Sequence, residues 1–594
     1  MAEGRLFDLL THWVDKQPDS PFLSAKYSDS RDWRTLTFRE VYDRSLRCAQ
    51  FLRSLGLEKG DMIGIIAENC PEWNILDLGA MQVGIVDVPM YPNISNRDYT
   101  YIIRDAGIKY LFVGSQLIYD KVEKLVDQID CLKGIYTFVP IDGALGFAHA
   151  LNQQDDQNNE TIVDISRTIE PSELVTLIYT SGTTGNPKGV MLSHDNIYSN
   201  VMSVKSVISF MENRKCLSFL PLCHSFERMV FYAYLSFGMH IYYAESLDTI
   251  GENLKEVKPY CFTTVPRLLE KVYDKIMAKG SALTGIKKML FNWAMEVGGN
   301  YQIGQPQGAI YNLKLKIARK LVFSKWKEAL GGEVAFIVTG AAAMQERLIT
   351  LFTAAGINVI EGYGLTETSP VLSVNRMAEE MRCIGTVGIP IPDVDIKLAE
   401  DNEILARGRN IMMGYYNRQD LTDEVIDPDG WFHTGDLGMW VHHNGHKFLK
   451  ITDRKKELFK TAGGKYVAPQ PLENKFKESP YIEQILIVGG DDKKFVSALI
   501  VPNRGQVMAF ANHEGLQFDD FEDLLHHPKV KSLIHKEIER ANKHFGRWEQ
   551  VKTFELVPDE WTPESGELTP TMKPKRKVLY SRYNDIIEKM YAGV

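Results

Sequence analysis

Ten residues rich in glycine, hydroxyl groups and lysine are the strongest candidate for chemistry in this sequence. They run from Thr180 to Gly189, directly after the apolar segment LVTLIYT of residues 174–180. Glycines let backbone N–H groups converge on an anion, and hydroxyls with one lysine add further donors. The run therefore predicts a phosphate-binding loop that follows a buried strand. The candidate phosphate ligands are Thr180, Ser181, Gly182, Thr183, Thr184, Gly185 and Lys188.

The predicted loop differs from two better-known nucleotide motifs. The spacing GxxxxGK[ST] is absent, so it is not a Walker A loop. No GxGxxG follows a strand in the sequence, which disfavours a dinucleotide-dependent oxidoreductase. A GTTG sequence alone is most simply a surface turn, but ten consecutive positions suited to phosphate favour a binding loop.

Six further segments carry residue types suited to nucleotide or acyl chemistry. A carboxylate suits a vicinal diol or a Mg²⁺ ion that bridges phosphates, and an aromatic ring suits a purine face. Each segment alone is also compatible with an ordinary turn or a charged surface. In chain order they are LPLCHSFER (220–228), GAA (340–342), YGLTE (363–367), WFHTGD (431–436), DRKKELFKTAGGKY (453–466) and LTPTMKPKR (568–576).

In this order, the segments resemble the motifs of the adenylate-forming enzymes, which include acyl-CoA synthetases, peptide-synthetase adenylation domains and luciferase. The resemblance extends over about residues 5–585, and the last two segments are similar to the long-chain fatty acid CoA ligase branch. It implies ATP-dependent activation of a long-chain fatty acid to acyl-AMP with release of pyrophosphate. The acyl group would then pass to CoA, with Mg²⁺ as the cofactor.

The resemblance also implies roles for individual nucleotide ligands. Tyr363 would lie against adenine, Thr366 would contact the α-phosphate, and Glu367 would help hold Mg²⁺. Asp436 would accept hydrogen bonds from both ribose hydroxyls, with Arg454 as the second ribose contact. The nucleotide ligands expected in or directly beside these segments are Gly362, Tyr363, Gly364, Thr366, Asp436 and Arg454.

A lysine near the C-terminus completes the expected catalytic set. Lys573 fits the position of the family's catalytic lysine, although Met572 stands where many members have glycine and Pro574 follows it. Lys575 and Lys577 are the alternatives. The candidate catalytic residues are Lys573, Thr366, Glu367 and Lys188.

The remaining expectations concern the acyl chain, CoA and a domain rotation. A lone histidine is more often structural than catalytic, so His224 is as compatible with a structural role as with a place in the acyl pocket. The resemblance implies that the C-terminal domain rotates between the two half-reactions. The candidates are His224, Gly340 and Ala341 for the acyl pocket, Gly463 and Gly464 for the CoA channel, and Lys456 for the hinge.

The segments that must position these motifs alternate between helical and strand patterns. FREVYDRSLRCAQFLRSLG has helical spacing, whereas DMIGIIAENC and KYLFVGS are typical of short buried strands, and this alternation predicts α/β layers. The polar run at 152–160 predicts a loop. VDIKLA and EILARG predict a β-rich subdomain. We expect a large multi-layered N-terminal domain at 1–455 and a small, mobile α+β C-terminal domain at 456–594.

Composition narrows the functional classes. The 594-residue chain has a net charge of −9, which disfavours nonspecific nucleic-acid binding. Seven cysteines without a CxxC pair fit a reducing cytoplasm, and the charged N-terminus has no signal-peptide pattern. The apolar segment Met229–Ala244 is too short to span a bilayer and predicts buried core, which leaves peripheral membrane contact open. Asn-Gly at 444–445 predicts a hairpin turn rather than a metal site at the neighbouring histidines.

Three alternatives stay open from the sequence. The enzyme could load the thiol of a carrier protein instead of CoA, or it could use a shorter or aromatic acid. A noncatalytic nucleotide-binding or scaffold protein is the third, but such a protein has no need for Lys573. The sequence does not indicate an oligomeric state.

Overall fold

The computed structural model describes residues 4–27, 30–180, 186–208, 212–462, 464–562, 565–569 and 573–592. The chain divides into two compact units. The first consists of Met1–Lys397, Leu405–Thr434 and Trp440–Lys450, and the second of Leu398–Ile404, Gly435–Met439 and Ile451–Val594. The expected domain limits at 455 and 456 stay a prediction.

The strands are mostly short. In chain order they are β1 Pro21–Ala25, β2 Arg34–Thr37, β3 Met62–Ile66, β4 Val86–Pro89, β5 Tyr110–Val113, β6 Gly134–Thr137, β7 Leu145–Gly146, β8 Leu174–Thr180, β9 Lys188–Ser193, β10 Lys215–Ser218, β11 His240–Tyr243, β12 Cys261–Thr264, β13 Phe336–Thr339, β14 Asn358–Gly364, β15 Val371–Val374, β16 Ile389–Pro390, β17 Val394–Leu398, β18 Glu403–Gly408, β19 Gly414–Tyr415, β20 Phe432–His443, β21 His446–Arg454, β22 Phe459–Lys460, β23 Tyr466–Val467, β24 Ile482–Val488, β25 Val496–Pro502 and β26 Val551–Leu556.

The α-helices flank these strands. They are α1 Asp8–Lys16, α2 Phe38–Ser54, α3 Pro71–Gln82, α4 Asn96–Ala106, α5 Gln116–Val122, α6 Phe147–Asn152, α7 Asn159–Ser166, α8 His194–Val207, α9 Ser225–Ser236, α10 Ile250–Val257, α11 Pro266–Ser281, α12 Gly285–Gly299, α13 Ala309–Ala318, α14 Ser324–Ala329, α15 Glu346–Ala354, α16 Gln419–Val425, α17 Pro469–Phe476, α18 Arg504–His513, α19 Phe521–His526, α20 Pro528–Asn542, α21 Arg576–Arg582 and α22 Asn584–Tyr591. Among the described residues, no helix combines the length and apolar character needed to cross a bilayer.

An eight-stranded sheet leads to the predicted phosphate loop. Its order is β19-β9-β8-β4-β3-β5-β6-β7, and the strands from β8 to β7 run parallel to their neighbours. Strand β9 pairs antiparallel with both β8 and β19. Every residue of β3 and β4 is buried, as expected of parallel strands covered on both faces. This sheet confirms the α/β prediction for the first part of the chain.

A nine-stranded sheet carries the second group of motifs. Its order is β16-β15-β14-β13-β12-β10-β11-β1-β2, with parallel pairs from β14 through to β1 and antiparallel pairs at both ends. The GAA segment follows β13, and the YGLTE segment begins within β14. Adjacent parallel strands thus bring these two segments to the same edge of the sheet.

Shorter sheets follow towards the C-terminus. The predicted β-rich region forms a four-stranded sheet of order β17-β18-β20-β21, and Asn444 and Gly445 have positive φ in the turn between β20 and β21. This confirms the predicted hairpin turn. The second unit contains the pair β22–β23 and the sheet β24-β25-β26. Its strands and helices confirm the predicted α+β mixture.

One local prediction was wrong. The polar run at 152–160 is not a continuous loop, because α7 begins at Asn159 and a 3-10 turn covers Asp156–Asn158. Buried Ile162 anchors the helix, and the side chain of Asp155 accepts a hydrogen bond from the backbone N–H of Gln157 at the start of the turn. Asp and Asn are favoured where helices begin, so a polar run can precede and start a helix.

Candidate active site

Two residues at the ends of the predicted phosphate loop, Thr180 and Lys188, are register partners. Strand β8 ends at Thr180, β9 begins at Lys188, and these residues face each other in the antiparallel pair. The Lys188 ammonium lies 4.8 Å from the ring centroid of Tyr415. The predicted ligands Ser181, Gly182, Thr183, Thr184 and Gly185 lie outside the described residues, so their roles stay predictions.

Tyr415 connects the predicted lysine with the predicted metal-binding carboxylate. It lies on β19, opposite Val190 of β9, and its hydroxyl donates a hydrogen bond of 2.9 Å to Oε1 of Glu367. Burial and the charge of Glu367 raise the pKa of Tyr415, so its hydroxyl stays protonated and able to donate. Sequence reasoning missed Tyr415, because it belongs to no motif and reaches the site only through the pairing of β19 with β9.

The YGLTE segment contains a close backbone approach that only glycine permits. A Cβ atom at Gly364 would lie 1.6 Å from the backbone oxygen of Pro370, which no side chain tolerates. Tyr363 is largely buried on β14, and Thr366 starts a 3-10 turn just beyond it. The hydroxyl oxygen of Thr366 is 3.1 Å from that of Ser225 on α9. The turn thus holds Thr366 and Glu367 against neighbouring elements.

The three predicted acyl-pocket residues lie around the start of α9 and the end of β13. Nδ1 of His224 accepts a hydrogen bond of 3.1 Å from the backbone N–H of Phe226, which caps α9. A Cβ at Gly340 would lie 3.5 Å from the Phe226 ring and 3.7 Å from the oxygen of Gly362. Ala341 has a φ of 67°, a conformation that costs alanine about 1–2 kcal/mol. The capping bond gives His224 a structural role, and its contact with an acyl chain stays a prediction.

Helix α9 is fixed to both large sheets by buried polar and charged side chains. Glu227 accepts hydrogen bonds of 2.6 Å from Ser218 on β10 and Thr263 on β12, and burial raises its pKa to about 7. The next residue, Arg228, pairs at 2.5 Å with Asp77 on α3 and with Asp87 on β4. These contacts set the position of the helix that starts at the predicted pocket.

The second unit brings three other predicted residues together. Nε of Arg454 lies 3.4 Å from Oδ1 of the buried Asp436. Burial and the positive charge of Arg454 lower the pKa of Lys573 to about 8, while the negative charges of Asp436 and Glu457 oppose that shift. The two expected ribose ligands and the expected catalytic lysine therefore interact electrostatically within one unit.

The backbone around Lys573 is held by a local turn. The backbone N–H of Lys573 donates to the hydroxyl of Thr569, and the N–H of Thr569 donates to the Lys573 oxygen. Met572 lies outside the described residues. Of the alternative lysines, Lys575 immediately precedes α21 and Lys577 is exposed on it.

The predicted hinge residue, Lys456, lies in a turn. Asp453 is buried at the end of β21, where burial raises its pKa to about 7. Lys455 pairs with Asp401 at 2.6 Å and Glu403 at 2.8 Å, whereas Lys456 is exposed. A rotation at Lys456 stays a prediction.

The expected CoA-channel loop is described only in part. Gly464 has a φ of 77° and donates its N–H to the oxygen of Thr461 at 2.7 Å, so a glycine suits this turn. Gly463 lies outside the described residues, and both channel assignments stay predictions.

The donor set around Glu367 fits a magnesium ion that is shared with a nucleotide. Mg²⁺ in proteins is typically bound by one or two carboxylates together with phosphate oxygens and water. Glu367 would supply one carboxylate, and the Tyr415 hydroxyl donates a hydrogen bond to it. Within the described ranges, no cluster of three or more His, Cys, Asp or Glu side chains forms a dedicated metal cage.

Comparisons with known proteins match both parts of the chain. The profile of the AMP-binding enzyme family matches residues 10–416, and that of the AMP-binding enzyme C-terminal domain matches residues 457–594. The chain is 31% identical to long chain acyl-CoA synthetase 2 of Arabidopsis thaliana, covering 98% of this chain and 91% of the relative. It is 33% identical to long-chain-fatty-acid--CoA ligase 5 of Rattus norvegicus, covering 99% and 89%.

Solved structures support the same fold. The adenylation domain of a carboxylate reductase from Mycobacterium chelonae aligns with a TM-score of 0.75 at 21% identity, covering 100% of this chain and 92% of that one. A fatty acyl CoA synthetase of Mycobacterium tuberculosis aligns with a TM-score of 0.63 at 20% identity, covering 98% and 99%.

Proposed function

Because the chain belongs to the AMP-binding enzyme family, we propose that it activates a long-chain fatty acid with ATP and transfers the acyl group to CoA. The observation that carries the proposal is the contact chain from Lys188 through Tyr415 to Glu367, beside the predicted phosphate loop. It supplies a cation for phosphate oxygens and a carboxylate for a metal ion at one place. The relatives named as long-chain acyl-CoA synthetases support the choice of acid.

The first half-reaction joins two anions. A fatty carboxylate has an ordinary pKa and is ionised at pH 7, so it needs no general base to attack the α-phosphorus of ATP. The barrier is mainly electrostatic, because an anion must approach a polyanion. Lys188, Lys573 and the loop N–H groups would position the phosphates and stabilise the charge that builds on their oxygens. A Mg²⁺ ion held by Glu367 would neutralise further phosphate charge.

The second half-reaction needs a different set of contacts. The thiol of CoA attacks the carbonyl carbon of acyl-AMP, the bond to the phosphate oxygen breaks, and AMP leaves. Asp436 and Arg454 would keep hold of the ribose during this step. The loop at Gly463 and Gly464 would line the pantetheine path after rotation at Lys456. With Lys456 as the hinge, the two domains would be residues 1–455 and 456–594.

Replacing one lysine tests the division of labour. Lys573→Ala should abolish acyl-AMP formation from ATP, while added acyl-AMP is still converted to acyl-CoA. Lys577→Ala, on the exposed side of α21, is the matched control and should retain both half-reactions. Equal loss of both half-reactions in Lys573→Ala, with an unchanged unfolding midpoint, would contradict the assignment.

The acceptor and the acid are tested by product analysis. Incubation of the wild-type enzyme with Mg-ATP, free CoA and acids from acetate to oleate should give acyl-CoA and AMP in equal amounts, with the highest rates for long chains. Acyl-AMP that accumulates despite free CoA would indicate a carrier-protein thiol as the acceptor.

The seven free cysteines support a reducing compartment such as the cytoplasm.

A further inference from the structure

Exposed apolar side chains are concentrated on one helical region of the first unit. Helix α12, helix α13 and the π-helical turn Arg319–Phe323 pack against one another. Their exposed apolar residues are Ile286 (72%), Met289 (63%), Ile310 (75%), Leu313 (61%), Ile317 (41%) and Leu321 (51%). Single exposed apolar residues are normal on a protein surface, whereas six large ones within 36 residues form a patch. We call this region the α12–α13 surface.

The exposed apolar residues of α13 form a stripe that the protein core does not use. Ile310, Leu313 and Ile317 have the i, i+3, i+7 spacing that places side chains on one face of a helix. Leu315 lies on the opposite face with Ala318 beside it, and both are buried in the core. Helix α13 therefore has two apolar faces, and packing within the first unit explains only the buried one.

Basic residues surround this stripe. Residues 285–325 contain seven basic residues and one acidic residue, Glu296, whereas the whole chain has a net charge of −9. A helix turns by about 100° per residue. On α13 and the turn after it, this rotation places Lys314 on one side of the stripe and Lys316 and Lys320 on the other. All three lysines are exposed. The surface is thus both apolar and strongly cationic.

We propose that the α12–α13 surface docks on an anionic lipid bilayer. An apolar stripe flanked by lysines is the pattern of a helix that lies in the membrane interface, with its apolar side chains at the acyl boundary and its lysines at lipid phosphates. A second copy of this chain is a poor occupant, because a two-fold interface would place the same seven basic residues opposite one another. Anionic lipid phosphates instead complement that charge.

Docking on a bilayer would give the proposed activity access to its substrate, and in this respect the inference rests on the proposed function. Long-chain fatty acids partition into bilayers because burial of each CH₂ group is favourable by about 0.8 kcal/mol. An enzyme held at the membrane surface meets this pool directly. A short, water-soluble acid such as octanoate gains little from docking. Comparing its turnover with that of a long-chain acid therefore distinguishes an effect on membrane contact from an effect on the chemical step.

Vesicle binding by the full-length enzyme is the first test. Sedimentation is measured with vesicles of phosphatidylcholine alone and of phosphatidylcholine mixed with phosphatidylglycerol. We expect binding only to the mixed vesicles, and we expect added salt to weaken it. The variant Ile310→Ser/Leu313→Ser/Ile317→Ser should bind at least about tenfold more weakly. The variant Lys314→Gln/Lys316→Gln/Lys320→Gln should lose about fivefold per lysine.

Matched controls separate this surface from general stickiness. Leu117 and Leu247 are 71% and 73% exposed but lie outside the α12–α13 surface. Leu117→Ser/Leu247→Ser should bind vesicles like the wild type. All variants should convert soluble octanoate at the wild-type rate, whereas activity on oleate presented in mixed vesicles should fall only in the two surface variants.

Three results would overturn the proposal. The first is wild-type enzyme that stays in the supernatant with the mixed vesicles. The second is a surface variant with full binding, or a control variant that loses it equally. The third is a concentration-dependent dimer that the Ser variant abolishes, since the surface would then be an interface between copies. Failure of the proposed function is distinct, because it appears as absent octanoate and oleate turnover in detergent solution.

Discussion

Removing the hydroxyl of Tyr415 tests whether this residue orients the predicted metal-binding carboxylate. Tyr415→Phe keeps the ring that lies 4.8 Å from the Lys188 ammonium but deletes the 2.9 Å hydrogen bond to Glu367. A hydrogen bond to a charged acceptor contributes about 1.5–3 kcal/mol. Each 1.4 kcal/mol corresponds to a factor of ten. We therefore expect acyl-AMP formation to slow by about 10- to 150-fold, with a higher requirement for Mg²⁺.

The assay is fatty-acid-dependent exchange of labelled pyrophosphate into ATP, measured over a range of MgCl₂ concentrations. Tyr27→Phe is the matched control, because the Tyr27 hydroxyl also donates a 2.9 Å hydrogen bond to a glutamate, Glu72. It should leave the exchange rate and the Mg²⁺ requirement unchanged. If Tyr415→Phe exchanges pyrophosphate as fast as Tyr27→Phe, Tyr415 does not position Glu367 for chemistry.

Four further perturbations test other parts of the account. Gly364→Ala should lower the free energy of unfolding by about 1–3 kcal/mol and slow acyl-AMP formation, because the added Cβ would collide with the backbone of Pro370. Unfolding in urea measures the loss, and wild-type stability would contradict the prediction. Arg228→Leu should lower the free energy of unfolding by about 3–5 kcal/mol, since it leaves the buried Asp77 and Asp87 without their cationic partner. A change within error would show that these two ion pairs do not stabilise the fold. Burial raises the pKa of Glu361 from 4.5 to about 8, so the free energy of unfolding should fall as the pH rises from 4.5 to about 8. Glu361→Gln should therefore be more stable than the wild type at pH 8 but not at pH 4. An equal gain at both pH values would exclude ionisation of Glu361 as the cause. Because the pKa of Lys573 is lowered to about 8, kcat/KM for acyl-AMP formation should fall as the pH rises above 8. Lys573→Arg should move this fall to a higher pH. A fall at the same pH in the variant would assign it to another titrating group.

Local sequence patterns predicted the elements that carry the motifs. The apolar run LVTLIYT is β8, the helical spacing after residue 37 is α2, and the Asn-Gly turn joins β20 to β21. These features depend on neighbouring residues, so periodicity and turn chemistry suffice. The polar run at 152–160 shows the limit of such patterns, because the buried Ile162 decides that Asn159 begins a helix.

Contacts between distant segments were not predictable. Tyr415 meets Glu367 and Lys188 only because β19 pairs with β9, and a two-residue strand has no periodicity to reveal this pairing. The ion pairs of Arg228 with Asp77 and Asp87 likewise depend on how α9 lies between the two large sheets. The sequence placed these residues in a pocket motif or in no motif, and only the fold gives them partners.

The most direct test of the central claim is pyrophosphate exchange without CoA. The claim is that Lys188, Lys573, Glu367 with its magnesium ion, and the loop amides allow a carboxylate to attack ATP. Purified enzyme given Mg-ATP, labelled pyrophosphate and a panel of fatty acids should form labelled ATP only when an acid is present, with long chains most active. If no acid in the panel produces labelled ATP, the site does not form acyl-adenylates and the proposed function is wrong.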